Sequence, residues 1–391
     1  MSTALGIPSL PGPATTPLMV VNAGSSSLKL RILGPDDAVV AARDLTTTSG
    51  SSVTDILAAF VDAGPAPRVV GHRVVHGGPD FTSAVVIDDT VAARLARLAE
   101  LAPLHNPPAL NAVAALRQLR PDLAQVACFD TTFHAHLPAE TATYAIPYEW
   151  SRRWGLRRYG FHGLSHAYAS RRAAELLGRP LTSLRLVTAH IGSGASLAAV
   201  AGGASVDTTM GFTPMEGLVM ATRPGNLDPG LVLWLVEHAG LTVSEIADTL
   251  EHRSGLLGLT GTTADLRQVI AVADTGDADA TLAYGVYLHR LRALVASMAA
   301  AMGGFDALVF TGGAGEHSDR LRRDTCATLG FLGVELDPGP TSAEPGPVDA
   351  IISGPRSSAA VVVVAAREDL EIARQVRLVL GRRQPHCPTP L

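Results

Sequence analysis

Residues 18–32 have the sequence LMVVNAGSSSLKLRI, and this segment gives the clearest indication of the fold. The continuous apolar run Leu18–Val21 is typical of a buried strand. After the turn Asn22–Ser27, apolar and basic residues alternate, which predicts a second strand with one exposed face. The segment therefore predicts a β-hairpin whose tip is built of small polar residues.

Beyond the hairpin, short strand-like runs and helix-like runs alternate along the whole chain, which predicts an α/β protein with helices covering its sheets. Further strands are expected at Arg68–Val75, Leu123–Phe129, Leu184–Ile191, Ser196–Val200, Ala307–Phe310 and Ala360–Val364. Helices are expected at Val53–Val61 (capped near Ser51 or Ser52), Val91–Leu101, His166–Leu177, Pro229–His238, Val243–Glu251, Ala264–Ala273, Ala278–Met302 and Glu368–Leu380. Thr262 and Asp265 have the spacing of a capping box.

Composition narrows the class of protein. The 391 residues are 47% hydrophobic, and 31 basic residues against 36 acidic ones give a net charge of −5. Such a chain has no global positive field for nucleic acid or an anionic membrane, so neither is expected as a partner. Three distant cysteines without a Cys-x-x-Cys motif favour a reducing compartment, and we expect a cytoplasmic protein. Residues 1–17 are predicted to be a disordered tail, and the Pro/Gly-rich stretch 337–347 a surface loop.

Three predicted strands run into turns rich in glycine and serine. These turns end the segments Val20–Ser25, Val187–Gly194 and Val309–Gly315. Glycine and serine let backbone N–H groups approach phosphate oxygens, which bulky side chains would obstruct. Lys29, the only lysine of the chain, follows the first turn. The pattern predicts a site for a polyphosphate.

Four further segments carry arginine, histidine or aspartate, and three of them also contain glycine. They are His72–Gly78, Phe129–His134, Arg157–Gly163 and Ala221–Gly225. Arginine offers a planar fork for a carboxylate or a phosphate. An acid directly after a strand lies where α/β sheets expose the residues that face ligands. Together these segments indicate chemistry on small anions.

Taken in order, these motifs resemble those of the acetate kinase family. The matching segments are Asn22–Lys29, His72–Gly78, Phe129–Thr131, Gly160–Gly163, His190–Gly194 and Gly312–Glu316, and the resemblance extends from about Val20 to Arg374. It implies an α/β protein with a two-domain actin-like ATPase (ribonuclease H-like) fold and an interdomain ATP cleft. The first domain is expected at residues 18–150, completed by the C-terminal helix at 368–391, and the second at 151–367, with a hinge near 145–160.

The resemblance also implies the reaction: reversible transfer of the γ-phosphoryl group of ATP to acetate, giving acetyl phosphate and ADP, with Mg²⁺ or Mn²⁺, by a homodimer. It implies catalytic roles for Asp130, His162 and Arg223, and metal binding by Asn22 and Glu368. Acetate would contact Arg73 and a small apolar pocket of Val75, Leu104, Phe161 and Pro214. The nucleotide side would comprise Ser25, Ser27, Lys29, His190, Gly192, Ser193, Gly194, Asp265, Leu266, Arg267, Gly313, Ala314, Gly315, Glu316 and His317.

Elementary chemistry agrees with these roles. Phosphoryl transfer needs positioning and neutralisation of spread negative charge, which arginine, histidine, lysine and Mg²⁺ supply. A carboxylate with a pKa near ~4 is already ionised at pH 7, so no strong base is required. We therefore expect Asp130 to orient an arginine or a metal-bound water. Members of the family usually have asparagine where this chain has Ser193, which removes an amide that could reach a phosphate.

Two alternatives stay open at this level. One methylene of substrate changes specificity by only ~1–3 kcal/mol, so a propionate or butyrate kinase of the same family has much the same sequence pattern. A non-catalytic ATP-binding protein of the actin type is the alternative from another class. Arg73, His162 and Arg223 argue against it, because a protein that only binds nucleotide does not need them.

Overall fold

A computed structural model describes residues 16–24, 27–46, 52–98, 106–337 and 349–381. The chain divides into two compact units, one of residues 1–132 with 367–391 and one of residues 133–366. The predicted tail and the loop at 337–347 lie largely outside the described residues. Within the described residues, no helix has the length and apolar character needed to cross a membrane.

The first unit contains a six-stranded sheet. Its strands are β1 (Leu18–Ala23), β2 (Ser27–Leu33), β3 (Val39–Thr46), β4 (Val69–Val74), β5 (Val85–Val86) and β6 (Ala124–Phe129), in the spatial order β3-β2-β1-β4-β6-β5. β1 and β2 pair antiparallel with Asn22 opposite Lys29, which confirms the predicted hairpin. β1, β4 and β6 are parallel neighbours, so their carboxyl ends share one edge.

Helices cover this sheet. They are α1 (Val53–Ala63), α2 (Asp89–Arg97), α3 (Asn106–Leu119) and the C-terminal helix (Glu368–Gly381). α1 begins at the predicted cap, since the Ser52 side chain accepts a hydrogen bond from the Asp55 amide. The C-terminal helix packs directly on strand backbone: a Cβ at Gly71 of β4 would lie 2.4 Å from Cγ2 of Ile372. Glycine at this position is therefore required for the helix to approach.

The sheet of the second unit has the same topology. Its strands are β7 (Arg185–Ile191), β8 (Ala195–Ala201), β9 (Ala204–Thr208), β10 (Ala307–Thr311), β11 (Ala350–Ile351) and β12 (Ala360–Val363), in the order β11-β12-β10-β7-β8-β9. In both units an antiparallel three-strand meander is followed by two parallel strands and an antiparallel edge strand. The two sheets confirm the predicted α/β class.

The described helices of the second unit are α4 (Ala139–Ala142), α5 (Tyr148–Trp154), α6 (Gly163–Leu177), α7 (Pro229–His238), α8 (Val243–His252), α9 (Gly255–Thr260), α10 (Leu266–Ala273), α11 (Ala278–Ala301), α12 (Gly312–His317) and α13 (Asp319–Cys326). Single 3-10 turns lie at Thr132–His134, Leu181–Ser183 and Gly330–Leu332. α6 packs against β7 and β10, and α11 against β7, β8 and β9. These long helices bury the apolar surface of the sheet.

Two local predictions differ from the structure. The capping box at Thr262 is wrong, because the N-cap of α10 is Asp265, whose carboxylate accepts a hydrogen bond from the Arg267 amide at 2.9 Å. A capping box forms instead at Thr242 and Glu245. The glycine-rich segment after β10 was expected to be a turn and forms the short helix α12.

The chain position of the division also differs from the expected one near residue 150, because residues 133–150 group with the second unit. Hydrogen bonds explain the grouping. The Tyr144 hydroxyl donates to Glu216 at 2.6 Å and accepts from the Phe212 amide at 2.9 Å. The Arg158 amide donates to the Ala142 carbonyl at 2.8 Å. These contacts tie the segment to residues far along the second unit.

Candidate active site

In the first unit, four polar side chains converge at the carboxyl edge of the sheet and form what we call the arginine cluster. Asn22 lies near the end of β1, Arg73 near the end of β4 and Asp130 directly after β6. Glu368 opens the C-terminal helix. Because β1, β4 and β6 are parallel neighbours, the fold itself brings the first three together.

Arg73 is the centre of the arginine cluster. Its Nε donates to both carboxylate oxygens of Asp130 at 3.1 Å, and its Nη2 donates to Oδ2 at 2.6 Å. Nη1 donates to the Asn22 amide oxygen at 3.1 Å and lies 4.0 Å from Glu368. The Asn22 amide nitrogen in turn donates to Glu368 at 3.0 Å. Asp130 and Asn22 thus accept hydrogen bonds from the Arg73 guanidinium, and Glu368 accepts one from Asn22.

The electrostatics of the cluster follow from burial. The Asp130 side chain is 1% exposed, and that of Arg73 is 18% exposed. Burial alone would lower the pKa of Arg73, but the charges of Asp130 and Glu368 outweigh it and raise that pKa. Burial raises the pKa of Asp130, and the charge and hydrogen bonds of Arg73 oppose that shift. The two groups therefore form a tightly held ion pair.

The other predicted residues of the first unit lie near this edge or outside the described part. Lys29 is exposed on β2 and pairs in register with Asn22. Ser27 begins β2. Val75 follows β4 and is buried. Ser25 and Leu104 lie outside the described residues.

Asn22 and Glu368 are the residues that the resemblance assigns to a metal. Among the described residues, no group of three or more His, Cys, Asp or Glu side chains could hold a metal ion. Mg²⁺ commonly takes one or two protein carboxylates, and its other ligands are waters and substrate phosphates. Glu368 supplies one carboxylate and Asn22 one amide oxygen, and the two side chains are adjacent, since the Asn22 amide nitrogen donates to Glu368 at 3.0 Å. This donor set fits an ion of that kind.

In the second unit, His162 lies at the start of α6 and opens a histidine cluster with His166, His190 and Ser196. Its backbone is left-handed, with φ of 54°, a conformation that is uncommon for residues other than glycine and typical of functional sites. The His162 Nδ1 lies 2.9 Å from the Ser196 hydroxyl. The His162 ring lies 4.4 Å from that of His190, whose Nδ1 is 2.8 Å from the Ser165 hydroxyl.

Gly194 shows where the histidine cluster meets Arg223. A Cβ at Gly194 would lie 2.8 Å from Nη2 of Arg223 and 3.3 Å from Nε2 of His162. The Arg223 Nη1 donates to the Pro214 carbonyl at 2.6 Å, and the neighbouring Ala221 amide donates to the Ser193 carbonyl at 3.0 Å. Burial lowers the pKa of Arg223. A bound anion would offset the cost of desolvating this guanidinium.

Apart from His190 of the histidine cluster, the predicted nucleotide residues of the second unit occupy three places. Gly192, Ser193 and Gly194 form the tip between β7 and β8, which is the counterpart of the β1–β2 tip. Gly313, Ala314, Gly315, Glu316 and His317 form most of α12. Asp265, Leu266 and Arg267 begin α10, where Arg267 is 83% exposed and pairs with Asp265. Phe161 is 1% exposed, so its side chain belongs to the interior rather than to an open pocket.

Sequence reasoning missed several residues that support these groups. Arg322 is 1% exposed and donates from Nη1 to the Gly315 and Glu316 carbonyls at 2.8 and 2.7 Å. His134 lies 3.1 Å through Nε2 from the Phe161 carbonyl. His166 follows His162 by one helical turn, and that spacing could have revealed it. No local pattern marks Arg322, because its partners become neighbours only after folding.

Two sheets of one topology, polar tips at equivalent strand ends, and arginine and histidine clusters define a two-unit α/β phosphotransferase with an actin-like ATPase fold. The acetokinase family model matches residues 64–374, and the chain belongs to the acetokinase family. This confirms the resemblance inferred from the motifs.

Individual relatives agree with the assignment. An acetate kinase of Trichormus variabilis is 47% identical over 314 residues, covering 80% of this chain and 77% of that protein. The crystal structure of Porphyromonas gingivalis acetate kinase is 36% identical with a TM-score of 0.85, covering 94% of this chain and 100% of that one. A propionate kinase from Francisella tularensis subsp. tularensis SCHU S4 is 34% identical with a TM-score of 0.83, covering 92% and 99%.

Proposed function

We propose that this chain catalyses the reversible, Mg²⁺-dependent transfer of the γ-phosphoryl group of ATP to acetate, giving acetyl phosphate and ADP. Membership of the acetokinase family supports the class of reaction. The observation that carries the proposal is the convergence of Arg223 and the Nε2 edge of His162 on Gly194. Because Gly194 has no side chain, room for an anionic group remains between the desolvated guanidinium of Arg223 and the ring nitrogen of His162.

In the proposed reaction, an acetate oxygen forms a bond to the γ-phosphorus while the bond from that phosphorus to the β–γ bridging oxygen breaks. The acetate is ionised at pH 7, so no side chain has to remove a proton. Arg223 and His162 would donate to the phosphoryl oxygens, on which negative charge is spread in the transition state. Arg73 would bind the acetate carboxylate, and Asp130 would hold Arg73 in the required orientation.

The nucleotide and its metal complete the proposal. Asn22 and Glu368 would bind Mg²⁺ or Mn²⁺, which when bound neutralises charge on the nucleotide phosphates. Lys29 would contact the nucleotide phosphates. The β7–β8 tip and α12 would contact ATP through backbone amides, which their glycines expose. A cytoplasmic location belongs to the same proposal, supported by the reduced thiols of Cys128 and Cys326.

The choice of acid is the finer part of the proposal. We infer acetate rather than propionate, because the resemblance implies a small apolar pocket for the methyl group. The Francisella relative is named a propionate kinase, so the longer acid has to be tested directly. One methylene changes kcat/KM by ~10- to 200-fold, which a direct comparison resolves.

The deciding assay supplies ATP, Mg²⁺ and one acid, traps acyl phosphate with hydroxylamine, and compares acetate, propionate, butyrate and no acid. We expect acid-dependent product with acetate preferred. Arg223→Ala should lower kcat by ~10²-fold or more, because it removes a group that stabilises the transition state. Arg120→Ala, which removes a half-buried surface arginine paired with Asp122, is the control. ATP binding without acyl phosphate from any acid would favour the binding-protein alternative, and a higher kcat/KM for propionate would change the substrate.

We also propose a homodimer that buries α7. None of the ten residues of this helix is buried in the single chain, and Leu233 and Trp234 are 62% and 54% exposed. A helix that is apolar on every side is normally covered, and a second copy of this chain is the occupant expected from the family. Light scattering during gel filtration should give a dimer for the wild type and a monomer for Leu233→Asp/Trp234→Asp. Leu378→Asp, at a similarly exposed leucine of the C-terminal helix, is the control. A monomeric wild type would contradict the proposal.

A further inference from the structure

A buried line of hydrogen bonds leads from the core of the second unit to His162. The Thr188 hydroxyl lies 2.8 Å from Nδ1 of His166, and Nε2 of His166 lies 2.8 Å from the Ser196 hydroxyl. The same Ser196 hydroxyl lies 2.9 Å from Nδ1 of His162. Thr188, His166 and Ser196 are all 0% exposed, so water does not compete for these bonds.

Each member of this line has a limited number of protons to donate. Burial lowers the pKa of His166 well below 6.5, with smaller effects from His134 and His190, so this ring is neutral near pH 7. A neutral imidazole donates through one nitrogen and accepts through the other. A serine hydroxyl donates one proton. Among the described residues the partners of the Ser196 hydroxyl are these two ring nitrogens, so its one proton goes to one of them. The protons along the line therefore all point toward His162 or all point away from it.

The position of Thr188 decides between the two directions. Besides His166, its hydroxyl reaches the Ala198 carbonyl, at 3.4 Å. Good O–H···O bonds measure 2.5–3.0 Å, so the His166 nitrogen at 2.8 Å is the better acceptor. In the opposite direction His166 would donate to Thr188. The proton of the buried Thr188 hydroxyl would then have only the Ala198 carbonyl, at 3.4 Å, as its acceptor. Leaving such a proton poorly satisfied is costly, so the line points toward His162.

We propose that Thr188, His166 and Ser196 are positioning residues that hold His162 in the tautomer with its proton on Nε2. The Ser196 hydroxyl then donates to Nδ1 of His162, and Nε2–H is directed to the edge beside Gly194. This inference rests on the proposed function, in which that N–H donates to an oxygen of the transferred phosphoryl group. The alternative tautomer would present a lone pair there, which repels an oxyanion.

The surroundings of His162 are consistent with a fixed ring. His134 is also fully buried, and its Nε2 lies 3.1 Å from the Phe161 carbonyl, which anchors the peptide before His162. The His190 ring lies against one side of the His162 ring, with the two ring centroids 4.4 Å apart and the ring planes tilted by 34°. Arg223 lies on the Gly194 side, and a proton on Nε2 prevents the ring from accepting a hydrogen bond from this guanidinium. Both donors then face the same place.

A pair of substitutions at Thr188 separates the relay from packing. Thr188→Val keeps the shape of the side chain and removes the hydroxyl, whereas Thr188→Ser keeps the hydroxyl and removes a methyl group. We expect T188V to lower kcat about tenfold or more, with KM for ATP and acetate within about twofold, because only transition-state donation is affected. T188S should stay within about threefold of the wild type. The reverse order, with T188V nearly normal and T188S impaired, would mean that Thr188 serves packing and would overturn the proposal.

A second measurement does not depend on activity. In protein labelled with ¹⁵N-histidine at pH 8, long-range ¹H–¹⁵N spectra distinguish the two tautomers of each ring, and His162→Gln assigns the His162 signals. We expect the pattern with the proton on Nε2 for His162 in the wild type. The pattern with the proton on Nδ1 overturns the proposal. If the wild type forms no acyl phosphate, the proposed function is refuted instead. The spectra still report the tautomer of His162, because they do not depend on activity.

Discussion

Asp130 touches Arg73 at three atom pairs, and replacing it tests whether it acts only through that arginine. The perturbation is Asp130→Asn, which keeps the shape and one acceptor but turns an amide N–H₂ toward the guanidinium. Arg73→Ala removes the arginine, and the double variant completes a cycle. If the Asp130 carboxylate serves only to orient Arg73, replacing it should not lower activity further once Arg73 is absent.

The magnitude follows from the geometry of the pair. Nε and Nη2 of Arg73 make the contacts at 3.1 and 2.6 Å to a carboxylate that is 1% exposed. Charge-assisted hydrogen bonds contribute ~1.5–3 kcal/mol each, and breaking a buried pair costs ~3–5 kcal/mol. Taking about 3 kcal/mol as the lost positioning energy, D130N should lower kcat/KM about 100-fold. R73A should lower it by ~10²–10³-fold, as expected for loss of a charge-stabilising donor.

The assay is the hydroxamate measurement of kcat/KM for acetate at saturating ATP. We expect the double variant to be no worse than R73A, which gives a coupling energy of about 3 kcal/mol. Asp122→Asn, in an exposed Asp–Arg pair with similar bonds to Arg120, is the control and should stay within about twofold. Losses that multiply in the double variant, to ~10⁴-fold or more, would refute the reasoning and give Asp130 a role independent of Arg73.

Three further predictions concern stability and the nucleotide. The pKa values of His72 and His134 are lowered to about 4 by burial, so between pH 6.5 and 4 the unfolded chain binds protons that the folded chain does not. The free energy of unfolding should therefore fall as the pH falls through this window, by up to about 3 kcal/mol per histidine. His72→Gln removes one of these groups and should flatten the dependence of Tm on pH. A dependence of Tm on pH as steep as that of the wild type would contradict this prediction. Arg322→Met should raise KM for ATP about tenfold and leave KM for acetate unchanged, because Arg322 donates hydrogen bonds to two carbonyls of α12. Initial-rate kinetics measure both constants, and equal changes in the two would contradict this prediction. Ser193→Asn should lower KM for ATP by ~2- to 10-fold by adding an amide at the exposed β7–β8 tip, and an unchanged ATP titration would remove Ser193 from the binding site.

Much of the fold could be predicted because its strands are short, apolar and bounded by glycine. The strand expected at Ala307–Phe310 is one residue longer in the structure, and α7 has the expected bounds, Pro229–His238. β3 (Val39–Thr46) was not predicted, since most of its residues are exposed and give no apolar alternation. α3 was missed because two prolines in its first turn resemble a loop, although proline is well tolerated there.

The candidate site could be predicted where its residues follow strands directly. Asp130 and Arg73 are of this kind, because parallel neighbours carry their ends to one edge. Their mutual contact, and the participation of Glu368 from the last helix, depends on tertiary packing that a linear pattern does not contain. The sequence predicts Ser196 only as a strand residue, because the histidines that it bridges lie at the N-cap and in the first turn of α6, some thirty positions away. Supporting residues of this sort are identified only by their hydrogen bonds.

The return of the C-terminal helix to the first sheet has a consequence for biosynthesis. Asn22 emerges from the ribosome early, and its hydrogen-bond partner Glu368 follows 346 residues later. Until then the strands β1, β4 and β6 lack the helix that covers one of their faces, including the closely packed position at Gly71. We therefore expect the apolar face of these strands to remain uncovered in the nascent chain until the last helix has been made. A translation product that stops before Glu368 lacks part of the arginine cluster, so interrupted synthesis does not yield a fragment with a complete site.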